Sequence, residues 1–306
     1  MMEATARIGS FNNDVAVLPR RDRDPATRLG DYMVLAQLSR GGMCRVYLAE
    51  HLTTGERVAL KILDPQFARS QDVIEQLFAE REVSERVRHP GLLDVRAAHA
   101  GDDFPYVVME YLDGENLGEL AEKGELEFGA IAAVGSQIAA AIAALHNANV
   151  IHCDIKPSNV FVLYQQGPGG WPRVKVIDYG IARCLDAPKL EEGTIAGTPS
   201  YMAPEQWHGT VSVKTDVYSL GCLLYELAIG TPPFVGPLPM LMVAHTEQRP
   251  ERPSWLRKNM PVELERAILG ALAKDPAMRP TMLDLAHMLT AIADATLRAE
   301  AERAVG

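Results

Sequence analysis

The chain has 306 residues, of which 47% are hydrophobic and 23% charged, which fits a globular protein with lobes of about 100 and about 200 residues. Its net charge of −10 argues against a general nucleic-acid binder and against a polybasic membrane anchor. The four cysteines form no CxxC pair, so reduced thiols are favoured over a disulfide framework or a zinc site. Without a signal-peptide core near the N terminus or a long uninterrupted apolar stretch, the sequence predicts a soluble, cytoplasmic protein with no membrane span.

The first third of the chain has strand-like patterns around one helix. Residues 1–27 mix charge, Asn and Pro and predict a flexible tail. From Tyr32 onwards, "YMVLAQL", "CRVYLAEH" and "RVALKIL" predict strands, with "TTG" as a hairpin turn between the last two. A helix is predicted at about 70–88, and two further strands near 92–99 and 105–110. This order indicates a small antiparallel sheet that carries one main helix.

The rest of the chain is mostly helical. The near-uniform apolarity of "GAIAAVGSQIAAAIAALHNAN" predicts a helix buried inside a lobe. A second apolar helix, "DVYSLGCLLYELAIG", should end at Gly230 before "TPPF". Residues 262–273 and 280–298 have the pattern of amphipathic helices, and no internal repeat is found. The predicted fold class is therefore α+β, with a small β-rich lobe, a short connector and a larger α-helical lobe.

Two segments of the small lobe carry candidate phosphate-binding groups. In "LSRGGMCRVYLAE", Gly41 and Gly42 lie in a turn where backbone N–H groups could approach phosphate oxygens. Paired glycines more often form only a hairpin turn, so this motif alone is weak. Lys61 of "VALKIL" strengthens the phosphate interpretation, because a lysine in an apolar strand needs an anionic partner.

The larger lobe contributes two polar clusters, "HCDIKPSNV" and "VKVIDYG". The carboxylates of Asp154 and Asp178 and the amide of Asn159 are oxygen donors that suit Mg²⁺, which shares its ligands with phosphates. Asp154 would then remain free to accept a proton from a hydroxyl group. These residues point to phosphate chemistry.

Taken in order, the motifs resemble those of protein kinases, of the Ser/Thr type common in bacteria. "LSRGGMCRV" stands for the Gly-rich loop, "VALK" for VAIK, "HCDIKPSN" for HRDLxxxxN and "DYG" for DFG, while "APE" is intact. The resemblance covers about residues 30–292 and includes "GTPSYMAPEQ" and "DPAMRPT". It implies a two-lobed protein-kinase-like fold with a flexible N-terminal tail (1–27), an N-lobe and hinge (28–112), a C-lobe (113–292) and a C-terminal helix end or tail (293–306).

The resemblance also assigns roles to the charged residues of the small lobe. Lys61 should hold the α- and β-phosphates of ATP and pair with a glutamate of the following helix. Counting nine residues back from His89 of "HP" gives Glu80 as the preferred partner, with Glu82 as the alternative.

Further roles follow for the larger lobe and the adenine slot. Asp154 should be the catalytic base, Lys156 should neutralise the transferred phosphate, and Asn159 and Asp178 should bind Mg²⁺, or Mn²⁺ in its place. The backbone from Glu110 to Leu112 should hydrogen-bond the adenine edge. The side chains expected to sandwich adenine are Leu38, Val46, Ala59, Met109 and Phe161.

Two further matches are structural in role. Glu205 resembles the residue that pairs with Arg279 to brace the substrate-binding loop. Asp216 resembles the residue that hydrogen-bonds the backbone of the catalytic loop. A buried carboxylate at either place requires such partners.

The sequence departs from the family pattern at several positions. Ser39 and Cys44 replace the first and third glycines of the loop, so nucleotide affinity is expected to be modest, and Tyr179 replaces the DFG phenylalanine. Residues 163–173 form a longer hairpin than usual. If Glu80 is the paired glutamate, Ser84 occupies a place normally filled by a larger apolar residue. On that basis the substitution Ser84→Leu is expected to raise stability and basal activity.

Cys153 stands where most family members have an arginine before the catalytic Asp. A thiol is uncharged at pH 7 at its ordinary pKa. Cys153 is either a small buried side chain that only fills space or, as the functional alternative, a redox-sensing thiol. On both readings the arginine that a phosphate would neutralise is missing.

Activity is therefore expected not to depend on phosphorylation of Thr194, Thr198 or Ser200 as a switch. Thr198 resembles the threonine that hydrogen-bonds the catalytic Asp and Lys. If a switch exists nevertheless, Arg183 and Lys175 are the candidate basic groups.

The function implied by the resemblance is a protein Ser/Thr kinase that transfers the γ-phosphate of ATP to hydroxyl groups of protein substrates. One alternative is a pseudokinase or nucleotide-binding scaffold, which Ser39 and Cys44 favour. Another is a small-molecule phosphotransferase, against which Lys156 and the peptide-platform motifs argue. The sequence leaves the substrate, the activating signal and the oligomeric state open.

Overall fold

The small lobe is built on a six-stranded antiparallel sheet with the order β1-β2-β3-β4-β6-β5. The computed structural model describes residues 28–100, 104–167, 170–179, 182–184 and 197–305, so the predicted tail at 1–27 lies outside it. The strands of this sheet are β1 (Arg28–Leu29), β2 (Tyr32–Arg40), β3 (Cys44–His51), β4 (Arg57–Leu63), β5 (Val95–His99) and β6 (Tyr106–Glu110).

Strand β4 lies at the centre of this sheet, between β3 and β6. Its sequence is a nearly continuous run of β-branched and aliphatic residues, and five of its seven side chains are buried. Lys61 is the exception inside this run. Its pairing with Val46 on β3 and Val107 on β6 holds its backbone in the middle of the sheet.

The main helix of the small lobe is α1 (Gln71–Arg86). Its buried side chains, Leu77, Glu80, Val83 and Ser84, recur at helical spacing and face the sheet and the lobe junction. After α1 the chain crosses to the large lobe, where Leu93 N–H donates to the carbonyl of Val176. This connection fixes the end of α1 against the other lobe.

The large lobe is helical, with α4 at its centre. Helix α3 packs along α8, and both α3 and α8 contact α4. The helices are α2 (Leu117–Glu122), α3 (Phe128–Asn147), α4 (Val213–Ile229), α5 (Leu238–Glu247), α6 (Pro253–Leu256), α7 (Val262–Ala271) and α8 (Met282–Val305).

Helix α3 is the one helix in the described ranges that is long and apolar enough to cross a membrane. However, 67% of its apolar window is buried within the lobe. Its apolarity is therefore explained by burial, as the sequence predicts.

Short strands of the large lobe position its polar loops. A three-stranded sheet has the order β10-β9-β7, and β11 pairs with β8. Together they hold residues 152–159 and 177–179 at the junction with the small lobe. The predicted two-lobed α+β fold is confirmed. The strands are β7 (Gly114–Asn116), β8 (Val150–Ile151), β9 (Val160–Gln166), β10 (Pro172–Val176) and β11 (Arg183–Cys184).

Candidate active site

Lys61 lies between two carboxylates at the junction of the lobes. Its Nζ donates to Oε1 of Glu80 on α1 and to Oδ1 of Asp178, the latter at 3.2 Å. Glu82, the alternative partner, is exposed on the other face of α1. Burial alone would lower the pKa of Lys61, but Glu80 and Asp178 outweigh burial and raise it. Lys61 is therefore positively charged and positioned to bind an anion.

Asp154 is held by a second set of contacts that involves Lys156 and Thr198. Lys156 Nζ donates to Asp154 Oδ2 at 2.7 Å and to Thr198 Oγ1 at 2.8 Å. The Thr198 hydroxyl in turn donates to Asp154 Oδ1 at 2.6 Å. Asn159 Nδ2 also donates to Asp154 Oδ2, at 3.0 Å. These contacts fix the orientation of the Asp154 carboxylate beside a lysine side chain.

Asn159 and Asp178 are the predicted metal ligands, and both lie beside Asp154 or Lys61. The Asp178 backbone has φ 68°, and its side chain is 44% exposed. No cluster of three His, Cys, Asp or Glu side chains that could hold a metal alone occurs in the described part of the chain. Asn159 is buried, whereas Asp178 is open to solvent. These two oxygen donors fit Mg²⁺, which keeps waters and takes phosphate oxygens as further ligands.

The predicted adenine slot is partly assembled around the strand pair β4–β6. Ala59 pairs with Met109 across the two strands, and both side chains are buried. Val46 and Leu112 pack against the same apolar cluster. The remaining predicted residues occupy more open positions, with Leu38 and the Gly41–Gly42 turn exposed, and Phe161 and Glu110 half-buried.

Two contacts brace the large lobe beneath this site. Arg279 donates from Nη1 to Glu205 Oε1 at 2.7 Å and from Nη2 to Oε2 at 2.8 Å. Asp216 accepts the backbone N–H groups of His152 and Cys153, both at 2.9 Å. These partners satisfy both carboxylates, as the sequence pattern requires.

Comparison with known proteins agrees with this geometry. The family model described as protein kinase domain matches residues 32–289. The chain belongs to the protein kinase family. It is 37% identical to the serine/threonine-protein kinase Pkn1 of Myxococcus xanthus over 285 residues. The match covers 91% of this chain and 41% of Pkn1.

Two further relatives give the same picture. The serine/threonine-protein kinase PrkC of Bacillus subtilis is 34% identical, with 82% of this chain and 38% of that protein covered. The serine/threonine-protein kinase PknB of Mycobacterium leprae is 33% identical, with 79% and 39% covered. The chain thus spans about two fifths of the length of these curated relatives.

Ser84 differs from its expected role in this kinase domain. Its hydroxyl is buried and accepts the backbone N–H of Val95 at 2.9 Å. A leucine would remove this acceptor and leave a buried N–H group without a partner. The structure therefore favours a loss of stability in Ser84→Leu over the expected gain. Sequence reasoning missed this contact, because it joins a helix to the start of a strand by a side chain.

Tyr179 and Lys175 make contacts that sequence reasoning also missed. The Tyr179 hydroxyl donates to the Leu93 carbonyl at 3.4 Å and lies 3.3 Å from the Val176 carbonyl. Lys175 Nζ donates to Glu110 Oε1 at 2.5 Å and to the Leu92 carbonyl at 3.0 Å. Because Lys175 is committed to these partners, it cannot replace the missing arginine before Asp154, as the sequence had allowed.

Cys153 is buried, with 2% of its surface exposed, and has φ 67°. Its Sγ lies 3.8 Å from the carbonyl of Ile151. Burial of this kind fits the reading of Cys153 as a filler side chain. Of the residues tied to the switch question, Thr194 and the side chain of Arg183 lie outside the described part of the protein.

Proposed function

We propose that the protein is a Ser/Thr protein kinase that transfers the γ-phosphate of ATP to serine or threonine hydroxyls of protein substrates. The observation that carries the proposal is the closed set of contacts among Asp154, Lys156 and Thr198. It sets a base and a cation side by side, which is the arrangement that phosphate transfer to a hydroxyl needs. The Lys61–Glu80 pair supplies the anchor for the other phosphates.

In the proposed mechanism Asp154 accepts the proton as the substrate O–H bond breaks. The oxygen attacks the γ-phosphorus, and the bond from that phosphorus to the bridging oxygen of ADP breaks. Lys156 stabilises charge on the transferred group, and Lys61 orients the α- and β-phosphates. Asn159 and Asp178 would hold Mg²⁺, whose chemistry is to neutralise phosphate charge when it is bound.

The experiment is transfer of label from γ-labelled ATP with Mg²⁺, with and without a generic protein substrate. Asp178→Ala and Asp154→Asn should each lower the rate by at least about a hundredfold, through loss of a metal ligand and of the base. Lys61→Met should be inactive as well. Robust transfer by the Asp178→Ala protein would refute the proposal.

A matched pair of variants on α1 sharpens this experiment. Glu80→Gln removes the charge that positions Lys61 and should lower kcat/KM for ATP by at least about tenfold. Glu82→Gln changes the same charge on the exposed face of the same helix and should behave like the wild type. Equal losses of kcat/KM in both variants would mean that the total charge of α1, rather than the contact between Glu80 and Lys61, controls the rate.

A nucleotide-binding scaffold is the second candidate, and the substituted loop favours it. Cys44 is half-buried at a glycine position beside Lys61, and burial raises the pKa of its thiol to about 11. A neutral side chain there occupies space that a phosphate would use. Binding of ATP without any transfer in the labelling experiment would support this alternative.

A further inference from the structure

Residues 92–95 comprise the end of the connection from α1 and Val95, the first residue of β5, and side chains from four parts of the chain contact their backbone. These side chains come from α1, from the end of β6, from β10 and from the segment that carries Asp178. The contacts are Lys175 Nζ to Leu92 O at 3.0 Å, Tyr179 OH to Leu93 O at 3.4 Å, Asp94 N to Glu110 Oε1 at 2.8 Å and Val95 N to Ser84 Oγ at 2.9 Å. We call residues 92–95 the junction segment.

A cavity of about 520 Å³ lies against the junction segment, away from the candidate active site. This volume is within the range of small-molecule sites. Its walls come from the last turns of α1, from the connection that follows and from strands of both lobes. The side chains that the argument uses are Arg81, Ser84, Arg88, Asp94, Arg96 and Lys175.

The walls of this cavity are cationic although the whole chain carries −10. Three arginines and one lysine line it together with a single acidic side chain, Asp94, among the lining residues that the structure describes. The lysine, Lys175, pairs with Glu110. Burial, and then Lys175, lower the pKa of His89 in the same wall. The excess of positive charge therefore comes from the arginines.

Part of this charge is available to a ligand. Arg88 is exposed and forms no ion pair with any residue that the structure describes. Arg81 pairs with Glu85, and Arg96 pairs with Glu56 and with Asp94. The three carboxylates of these pairs are 57%, 55% and 53% exposed. Exposed pairs of this kind are weak, so an anion in the cavity can compete for both arginines.

We propose that this cavity binds a small organic anion with at least two carboxylate or phosphate groups. Arg81 would contact it from α1, Arg88 from the connection after α1 and Arg96 from β5. Lys175, which is bound to Glu110, would stay in its present contacts. Because Arg81 follows Glu80 directly, a bound anion would hold the end of α1 against β5.

The binding experiment is isothermal titration calorimetry of the full chain at low salt, with two separate probes, tricarballylate and fructose 1,6-bisphosphate. Binding of one probe or of both supports the site and tells a carboxylate source from a phosphate source. Arg88→Gln and Arg81→Gln/Arg88→Gln should weaken binding by at least about tenfold. Arg86→Gln removes the same charge from α1 outside the cavity and should change the affinity little. The experiment needs no phosphate transfer, so its outcome is independent of the proposed function.

Two results would overturn the site. One is no binding of either probe below about 1 mM. The other is a loss of binding in Lys61→Met that Arg88→Gln does not share, which would place the anion at Lys61 instead. Amide hydrogen exchange supplies a second readout. A bound probe should slow exchange within residues 81–96, and slowing confined to residues 39–46 would contradict the location.

Discussion

The hydroxyl of Ser84 accepts the Val95 N–H at 2.9 Å inside the lobe junction, where both residues are buried. Such a contact contributes little when made, but its loss leaves a buried donor without a partner. Tyr179 similarly adds a hydroxyl that contacts the Leu93 carbonyl. At both positions the residue that departs from the family pattern brings a polar group, and that group has a polar partner in the junction segment. Both departures therefore contact the same segment of backbone.

Replacement of Ser84 tests this reading by stability. Ser84→Ala should lower the free energy of unfolding by about 1–3 kcal/mol, because the Val95 N–H loses its acceptor. Ser84→Leu should lower it at least as much, since the larger side chain must also displace its neighbours. Urea unfolding measures both. Ser70→Ala is the control, because Ser70 caps the start of α1 without a side-chain hydrogen bond. A Leu variant as stable as the wild type would contradict the role of the hydroxyl.

Cys153 leads to a prediction about regulation. Asp154 already contacts Lys156 and Thr198, and a cysteine stands at the position where an arginine would meet an activating phosphate. Treatment with a phosphatase, followed by its removal, should therefore leave the initial rate on a protein substrate within about twofold. Thr194→Ala serves as the parallel variant. A tenfold loss that returns only as Thr194 is rephosphorylated would show that another basic group, such as Arg183, replaces the arginine.

Helix α4 shows which features of an element can be predicted from sequence. Gly230 ends the helix with φ 91°, as the Gly-then-Pro pattern predicts, and Ser212 caps its start by accepting the Lys214 N–H. Both signals are local, so they can be read along the chain. The 3.0 Å bond from Thr215 to Glu205 joins α4 to a loop ten residues earlier. Periodicity indicates which face is buried, but not which polar atoms meet there.

The Glu205–Arg279 contact gives a prediction at the same scale. The Arg279 side chain is fully buried, lies 4.9 Å from the Tyr218 ring and bonds both oxygens of Glu205. Arg279→Lys keeps the charge but loses the planar fork, so it should cost about 3–5 kcal/mol of stability. Arg252→Lys, in a pair whose arginine is 55% exposed, should cost less than about 1 kcal/mol. If urea unfolding shows similar losses of stability in the two variants, burial of the arginine does not determine the cost of its replacement.

Across the whole molecule, motif order predicted the two lobes and the residues that meet between them. Lys61, Glu80 and Asp178 come from three distant parts of the chain, and the family pattern brings them together because each motif has a fixed place in the fold. The cationic cavity behind them has no such pattern. Its charges come from α1, the connection after α1, β5 and β10, with no common spacing, so only the folded chain reveals them.

The acid stability of the large lobe is the last prediction. Glu265 on α7 accepts Arg252 Nη2 at 2.7 Å and the Ser254 N–H at 3.0 Å. The contact with Arg252, and then that with Ser254, lower the pKa of Glu265 from 4.5 to about 2. Above pH 4.5 the carboxylate is ionised in both the folded and the unfolded chain, and its contribution to stability is complete. As the pH falls towards 2, the unfolded chain takes up the proton first, so the contribution is lost.

Glu265→Gln should therefore be less stable than the wild type at neutral pH, and the difference should shrink as the pH falls. Urea unfolding at several values between about pH 6 and about pH 3 measures this difference. Because Arg252 is largely exposed, added salt should reduce the difference as well. Glu263→Gln changes an exposed carboxylate on the same helix and controls for the loss of one charge. If the stability difference between Glu265→Gln and the wild type stays constant over this range, packing rather than ionisation of Glu265 holds α6 against α7.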